Sequence, residues 1–199
     1  MRTRRTWKAG DIVPARELES ITGEPVLLPA PSGLVHLQLR RFAGCQICNL
    51  HLRSVAQRHD EIAAAGIREV VVFHSTADKL RKHEADLPFT VIADPDRSLY
   101  REFRVRRSPR ALIDPRVWLT LLRAQAVSVW STLRRRKPLA PLTPRGGPLG
   151  LPADLLIDAE GRVVAVKYGT HASDQWSVGE LLDHAATALR CARAELPDL

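Results

Sequence analysis

The stretch "RRFAGCQICNLHLR", residues 40–53, sets two thiols, Cys45 and Cys48, three positions apart where one kind of secondary structure hands over to another. Upstream, "GLVHLQL" (33–39) alternates apolar and polar residues, the period of a strand. Downstream, "NLHLRSVAQRHDEIAAAG" (49–66) carries Leu52, Val55, Ala56, Ile62 and Ala63 at close to helical spacing, and Gly66 is placed to stop the helix. Cys45 therefore falls at a helix mouth and Cys48 one turn inside. A helix amino terminus presents unpaired N–H groups and the positive end of the macrodipole, and both favour thiolate over thiol. In such settings a cysteine pKa falls to roughly 3.5–7.5, from about 8.5 when unperturbed. Arg40 and Arg41 lie just upstream and are expected to add positive potential. The residues alone leave three readings open: a redox pair, half of a metal site, or two core side chains. The redox reading gives Cys45 the role of nucleophile and Cys48, the more shielded, that of resolving thiol.

Working outward, "IREVVVFH" (67–74) is a β-branched run of strand length, and Ser75 is placed to cap a helix over "TADKLRKHEADL" that Pro88 ends. "FTVIAD" (89–94) reads as a short strand and "PDRSLYREFRV" (95–105) as a short helix. Residues 106–150 interrupt the alternation with a helical stretch at 116–137, bearing Trp118 and Trp130, and a loop rich in Pro and Gly. "ADLLID" (153–158) and "RVVAVKYG" (162–169) form a hairpin, and a last helix runs from Val178 to Ala194 behind a Ser177 cap. A βαβ unit demands parallel strands and a right-handed crossover, while the hairpin adds antiparallel ones. The expected fold is α/β and thioredoxin-like, a mixed central sheet flanked by helices, with a helical insertion before the final β-hairpin.

At 199 residues the chain reads as one domain, residues 1–199, with 106–150 a basic insertion inside it. A globule of that size buries roughly 70% of its unfolded surface, so its core needs no stapling. The basic amino terminus has no apolar run behind it, and no stretch approaches the ~18 apolar residues of a spanning helix. Three cysteines are an odd count that fits no secreted disulfide scaffold. A cytoplasmic location with thiols initially reduced is the expectation. The net charge of +8 is concentrated: residues 101–137 hold eleven Arg or Lys against two acidic residues. That segment is either a solvated face or a surface for phosphate, anionic lipid or an acidic partner. Metal binding lacks a four-ligand pattern, and Cys191 in the last helix reads as a small buried residue.

Three stretches carry a family resemblance: "RRFAGCQICNLHLR" (40–53), "AAGIREVVVFHS" (64–75) and "GLPADLLIDAEGRVVAVKYGTHASD" (150–174). In these the chain resembles the peroxiredoxin-like (AhpC/TSA-type) branch of the thioredoxin superfamily, over about residues 9–105 and 148–190. The resemblance implies that Pro152 is the superfamily's cis-proline, facing the redox pair and receiving substrate backbone. It also implies a thioredoxin- or glutathione-type reductant, a disulfide or hydroperoxide substrate, no bound cofactor and no metal. The chain departs from the family's Pro-x-x-x-Thr-x-x-Cys pattern: counted back from Cys45, the Thr position is Phe42 and the Pro position Gln38. The family's late arginine position falls on Pro152. Disulfide exchange is thus better supported than fast peroxide reduction.

His51 reads as a surface or packing histidine, and His171 and Asp174 as caps of the turn into the last helix. The Trp118–Trp130 stripe fits packing or a homodimer contact. The second functional reading is a redox-inactive scaffold whose basic insertion binds a membrane surface, nucleic acid or a protein partner. The thiol placement is the more specific signal, so nucleic acid and membrane are the less expected partners.

Overall fold

In the computed structural model, residues 5–108 and 150–194 are described, without the side chains of 191–194. The helix expected over 116–137, with Trp118 and Trp130, and the Cys191 side chain lie outside the described residues. Five strands form the central sheet: β3 (Leu34–Arg40), β4 (Ile67–Phe73), β5 (Thr90–Ala93), β6 (Ala153–Ile157) and β7 (Val163–Tyr168), in the order β5-β4-β3-β6-β7. The first three run parallel, and β6 and β7 join antiparallel, as the βαβ unit and hairpin required. A separate antiparallel pair, β1 (Arg16–Glu19) with β2 (Pro25–Leu28), precedes them. Its sequence, RELE followed later by PVLL, is too short and charged to announce a strand pair. The helices are α1 (Gln46–Gln57), α2 (His59–Ala64), α3 (Ala77–Glu84), α4 (Ser98–Glu102) and α5 (Val178–Ala194). Among the described residues no helix is long and apolar enough to cross a membrane.

β3 lies in the middle of the sheet and is buried on both faces. Val35, Leu37 and Leu39 face one way and pack with Val70, Val72, Leu155, Ile157, Tyr100 and Phe103. His36, Gln38 and Arg40 face the other way and are equally buried, so the alternation of apolar and polar residues is an alternation between two buried faces. Strand entry is fixed by backbone contact. Gly33 has φ +73°, and a Cβ there would stand 2.5 Å from the Gly66 carbonyl oxygen, which also accepts the Leu34 N–H at 2.9 Å.

Two element ends differ from expectation. The helix opens at Gln46, just behind Cys45 as read, but breaks at Arg58 (φ −114°, ψ 23°) into α1 and α2. Thr76, not Ser75, occupies the cap position of α3, because the Ser75 hydroxyl accepts the Ala43 N–H at 3.0 Å instead. Ser177 does cap α5, in a reciprocal arrangement: its hydroxyl accepts the Glu180 N–H at 3.2 Å and Glu180 accepts the Ser177 N–H at 2.7 Å.

Candidate active site at the Cys45–Cys48 pair

The parallel strands β3 and β4 end side by side, and their carboxyl ends carry the site. Arg40 pairs with Phe73, which puts Arg41 and Phe42 beside His74 and Ser75. The chain then turns at Gly44 (φ +75°), a left-handed conformation suited to glycine, and enters α1. Cys45 is the cap of α1 (φ −62°, ψ 111°), and its sulfur accepts the Cys48 N–H at 3.4 Å. The Cys48 thiol donates to the same sulfur, 2.8 Å away. Arg41 Nη1 stands 3.8 Å from Cys45 Sγ. From the other side Glu84 on α3 braces the turn. One of its carboxylate oxygens accepts the Gly44 N–H at 3.0 Å, and the Asn49 amide nitrogen, turned toward the carboxylate, donates to it at 3.1 Å.

These contacts set the protonation states. Burial pushes the Cys45 thiol up, but the Cys48 S–H, the Arg41 charge and the N–H groups of Cys48 and Ile47 outweigh it and bring its pKa down to about 7. Cys48 is driven well above the ordinary thiol range by burial, by its hydrogen bond to Cys45 and by the Cys45 charge. The pair is thus a thiolate leaning on a thiol. Cys48 is not the more shielded of the two as expected: Cys45 is as closed as Cys48, at 2% and 1% exposure. Ala43, Ile47, Leu52, Phe73, Leu80 and Ala172 share their apolar cluster, with Phe42 packed against it. The thiolate survives burial because Arg41, itself buried, goes in with it.

Arg40 does not serve the sulfur. Its side chain turns to the opposite face of β3, where Nη2 bonds Gln38 Oε1 at 2.6 Å, Asp154 Oδ1 at 2.5 Å and His51 Nε2 at 3.2 Å. There it completes a buried network of two cations and two anions. His36 Nδ1 meets Glu69 at 2.9 Å, its Nε2 meets Asp154 at 3.1 Å, and Gln38 donates to Glu69. Although burial opposes it, the two carboxylates raise the His36 pKa to about 9, and the ring is protonated at neutral pH. Burial would raise Asp154, but Arg40 and His36 hold it well below the usual carboxylate range. His51, half-buried against Arg40, is pushed down to about 3 by desolvation and that charge, so it is a packing histidine. Cross-strand register builds this network: His36 lies opposite Glu69, and Gln38 opposite Asp154. None of it is visible until the strand order is known, and the only sequence signal is three polar residues on one side of a strand.

Pro152 also differs from expectation. Among the described residues the only cis peptide bond is Leu28–Pro29, and the bond before Pro152 is trans. Pro152 continues the extended chain of β6: its carbonyl accepts the Gly169 N–H at 2.9 Å, carrying the β6–β7 ladder one residue further, and its ring packs over Gly169. Asp174 caps its turn as expected, accepting the Thr170 N–H and hydroxyl at 2.8 Å, while His171 Nδ1 contacts Ser173 Oγ at 3.1 Å.

A family model described as AhpC/TSA antioxidant enzyme matches residues 54–171, more than half of the chain. The chain belongs to the AhpC/TSA antioxidant enzyme family. The matched span begins after both thiols, so the family assignment rests on the sheet and helices that follow them. No curated protein matches the chain. Solved structures agree on the fold. Peroxidoxin BcpB from Mycobacterium tuberculosis superposes with a TM-score of 0.58 at 19% identity, over 96% of this chain and 99% of its own. A reduced 2-Cys peroxiredoxin from Plasmodium vivax gives 0.64 at 12% identity, over 94% and 84%. A protein described as a thiol:disulfide interchange protein, DsbE, from Chlorobium tepidum gives 0.56 at 20% identity, over 92% and 98%. The α/β thioredoxin-like fold of this AhpC/TSA family member is thus shared by peroxide-linked and disulfide-linked proteins alike.

Proposed function

We propose that this AhpC/TSA family member is a thiol–disulfide oxidoreductase in which Cys45 attacks and Cys48 resolves. One observation carries the reading: two free sulfurs face each other at 2.8 Å across the first turn of α1, with Arg41 beside the first. The Cys45 thiolate attacks a substrate disulfide, forming one S–S bond and expelling the partner thiolate. The mixed disulfide removes the negative charge at Cys45 that held the Cys48 proton, while Arg41, whose charge favours the Cys48 thiolate, stays in place. Cys48 then loses its proton and attacks Cys45 Sγ, expelling the second substrate thiolate and closing a Cys45–Cys48 disulfide. An external dithiol of thioredoxin type, or a glutathione-type thiol, restores both thiols. Because both sulfurs are buried, each exchange step requires the apolar cover around Cys45 to open.

Family membership favours a second oxidant, a hydroperoxide. Attack of the Cys45 thiolate on the O–O bond would leave a sulfenic acid and an alcohol or water, and Cys48 would condense with the sulfenic acid to release water and the same disulfide. The structure supplies one polar aid to that step, Arg41. Among the described residues no hydroxyl side chain contacts Cys45 Sγ, the position that would offer one being Phe42. Stopped-flow oxidation of the reduced protein by hydrogen peroxide and by bis(hydroxyethyl) disulfide separates the two. Disulfide exchange predicts a Cys45–Cys48 disulfide from the organic disulfide, lost in Cys45→Ser. A protein whose thiols stay reduced with both oxidants would refute the enzyme reading.

A further inference from the structure

Both sulfurs are covered, so part of the cover must leave before a substrate reaches them. Most of it belongs to the turn, to α1 and to the sheet and α3 around them. Among the described residues Ala172, wholly buried, is the only member of the thiol cluster drawn from beyond residue 93. It lies in the connection between β7 and α5. Tyr168 ends β7 opposite Ala153, and Ala153 lies opposite Leu39, so this connection leaves the sheet at the same end as the Cys45 turn. Its polar bonds are local. Asp174 accepts the Thr170 N–H and hydroxyl, each at 2.8 Å. The Asp174 and Gln175 N–H groups bond the carbonyls of His171 and Ser173 at 3.1 and 3.2 Å, and Gln175 Nε2 bonds that of Ala172 at 3.3 Å. The one polar tether from the segment to the sheet is Lys167 on β7, whose Nζ meets Asp174 at 3.2 Å and the Gln175 carbonyl at 3.3 Å. Both ends are fixed: the Gly169 N–H bonds the Pro152 carbonyl at 2.9 Å, and Trp176 is buried against the rings of His36 and His184. α1 is fastened differently. Glu84 on α3 holds the Gly44 N–H and Asn49, Arg40 meets His51, and Leu52 and Val55 are buried.

A piece of cover whose hydrogen bonds are internal can move as a unit without orphaning a donor in the rest of the protein. Withdrawing α1 would instead break its bonds to α3 and β3 and uncover more apolar surface. We propose that residues 170–175 are the lid of the thiol site, with Ala172 as its plug and Lys167 as its latch. Lifting the lid gives up the packing of one methyl group and the two Lys167 contacts, while the bonds from Asp174 to Thr170 travel with the segment. The inference deepens the exchange reading by naming the way in to Cys45. Its test reads access to the thiol and not exchange, so either can fail without the other.

The test is alkylation of the reduced full-length protein by iodoacetamide at about pH 8. There Cys45, with its pKa of about 7, is mostly ionised and Cys48 is not, so access to Cys45 limits the rate. Lys167→Met should react about five to ten times faster than the wild type, the equivalent of one or two ordinary hydrogen bonds lost from the closed state alone. The Cys45 titration should not move, since Lys167 is not among the groups that set it. Hydrogen exchange of the α1 amides should be the same in both proteins. An unchanged alkylation rate overturns the lid, and so does a rate that rises together with exchange in α1, because the helix is then what opens. Should Lys167→Met fail to fold, the wild type decides. Lifting so short a segment exposes little surface, so its alkylation rate should stay within about twofold as urea is raised below the unfolding transition. A steep rise with urea means a larger opening and overturns the lid.

Discussion

Replacing Arg41 with Gln isolates the charge that makes a buried thiolate tenable. Arg41 Nη1 is 3.8 Å from Cys45 Sγ, and both side chains are buried. At that separation a unit charge pair is worth roughly 1 kcal/mol if the surroundings screen like water and roughly 4 kcal/mol at an effective dielectric of about 20. With about 1.36 kcal/mol per pKa unit, Arg41→Gln should raise the Cys45 pKa by roughly one to three units. The wild-type value of about 7 leaves about half the sulfur ionised at neutral pH. The variant should retain about a tenth or less. Thiolate ultraviolet absorbance against pH reads the change directly, and iodoacetamide alkylation at pH 7 should slow by about tenfold or more. Cys48 does not confuse the titration, because its own proton is held well above the ordinary thiol range. Arg97→Gln is the control, since its charge is absent from the groups acting on Cys45. An Arg41→Gln protein that is folded and titrates within a few tenths of a unit of the wild type would refute the electrostatic account and leave the helix terminus and the Cys48 thiol as sufficient causes.

Three further outcomes follow from the same contacts. Cys48→Ser should stop the cycle after the first exchange, and mass spectrometry should find a substrate half joined to Cys45; recovery of unmodified protein would place the nucleophile elsewhere. Glu84→Ala strips the acceptor from the Gly44 N–H, and an orphaned buried donor costs about 1–3 kcal/mol, so urea unfolding should shift by that amount while Cys45 alkylation accelerates as the turn loosens. Glu84→Gln, which keeps an acceptor, should lose less. His36 has a folded pKa of about 9, above its unfolded value, so its stabilisation is complete below pH ~6.5 and is lost as pH rises through about 9, a loss of about 3 kcal/mol. Cys45 works in the opposite sense: its lowered pKa stabilises the fold above pH ~8.5 and that contribution is lost as pH falls through about 7. The two partly cancel, so the His36 slope should be measured by urea titration in a Cys45→Ser background, where His36→Gln should flatten it. A slope unchanged by His36→Gln would disprove the protonated ring.

What the sequence discloses and what it hides divide along one physical line. Local pattern disclosed the strand into Cys45, the βαβ unit, the late hairpin and the Ser177 cap, because each is written within a few residues of itself. It did not disclose the second role of β3. "HLQLR" reads only as an alternating strand, and it takes the placement of β6 beside β3, from a segment more than a hundred residues later, to put Asp154 where Arg40 and His36 can pair with it. The same register decides between two adjacent arginines that the sequence treats alike. Arg40, still in the strand, must point to one face and is taken up by Asp154. Arg41, one residue further, points to the other side of the pleat and reaches the sulfur. Asp154, by pairing with Arg40, leaves Arg41 as the arginine that stands beside Cys45 Sγ. Disturbing that network should reach the thiol indirectly: Asp154→Asn would leave the Arg40 charge without its carboxylate, and a Cys45 titration that moved in step with it would show the two faces of the strand acting as one device.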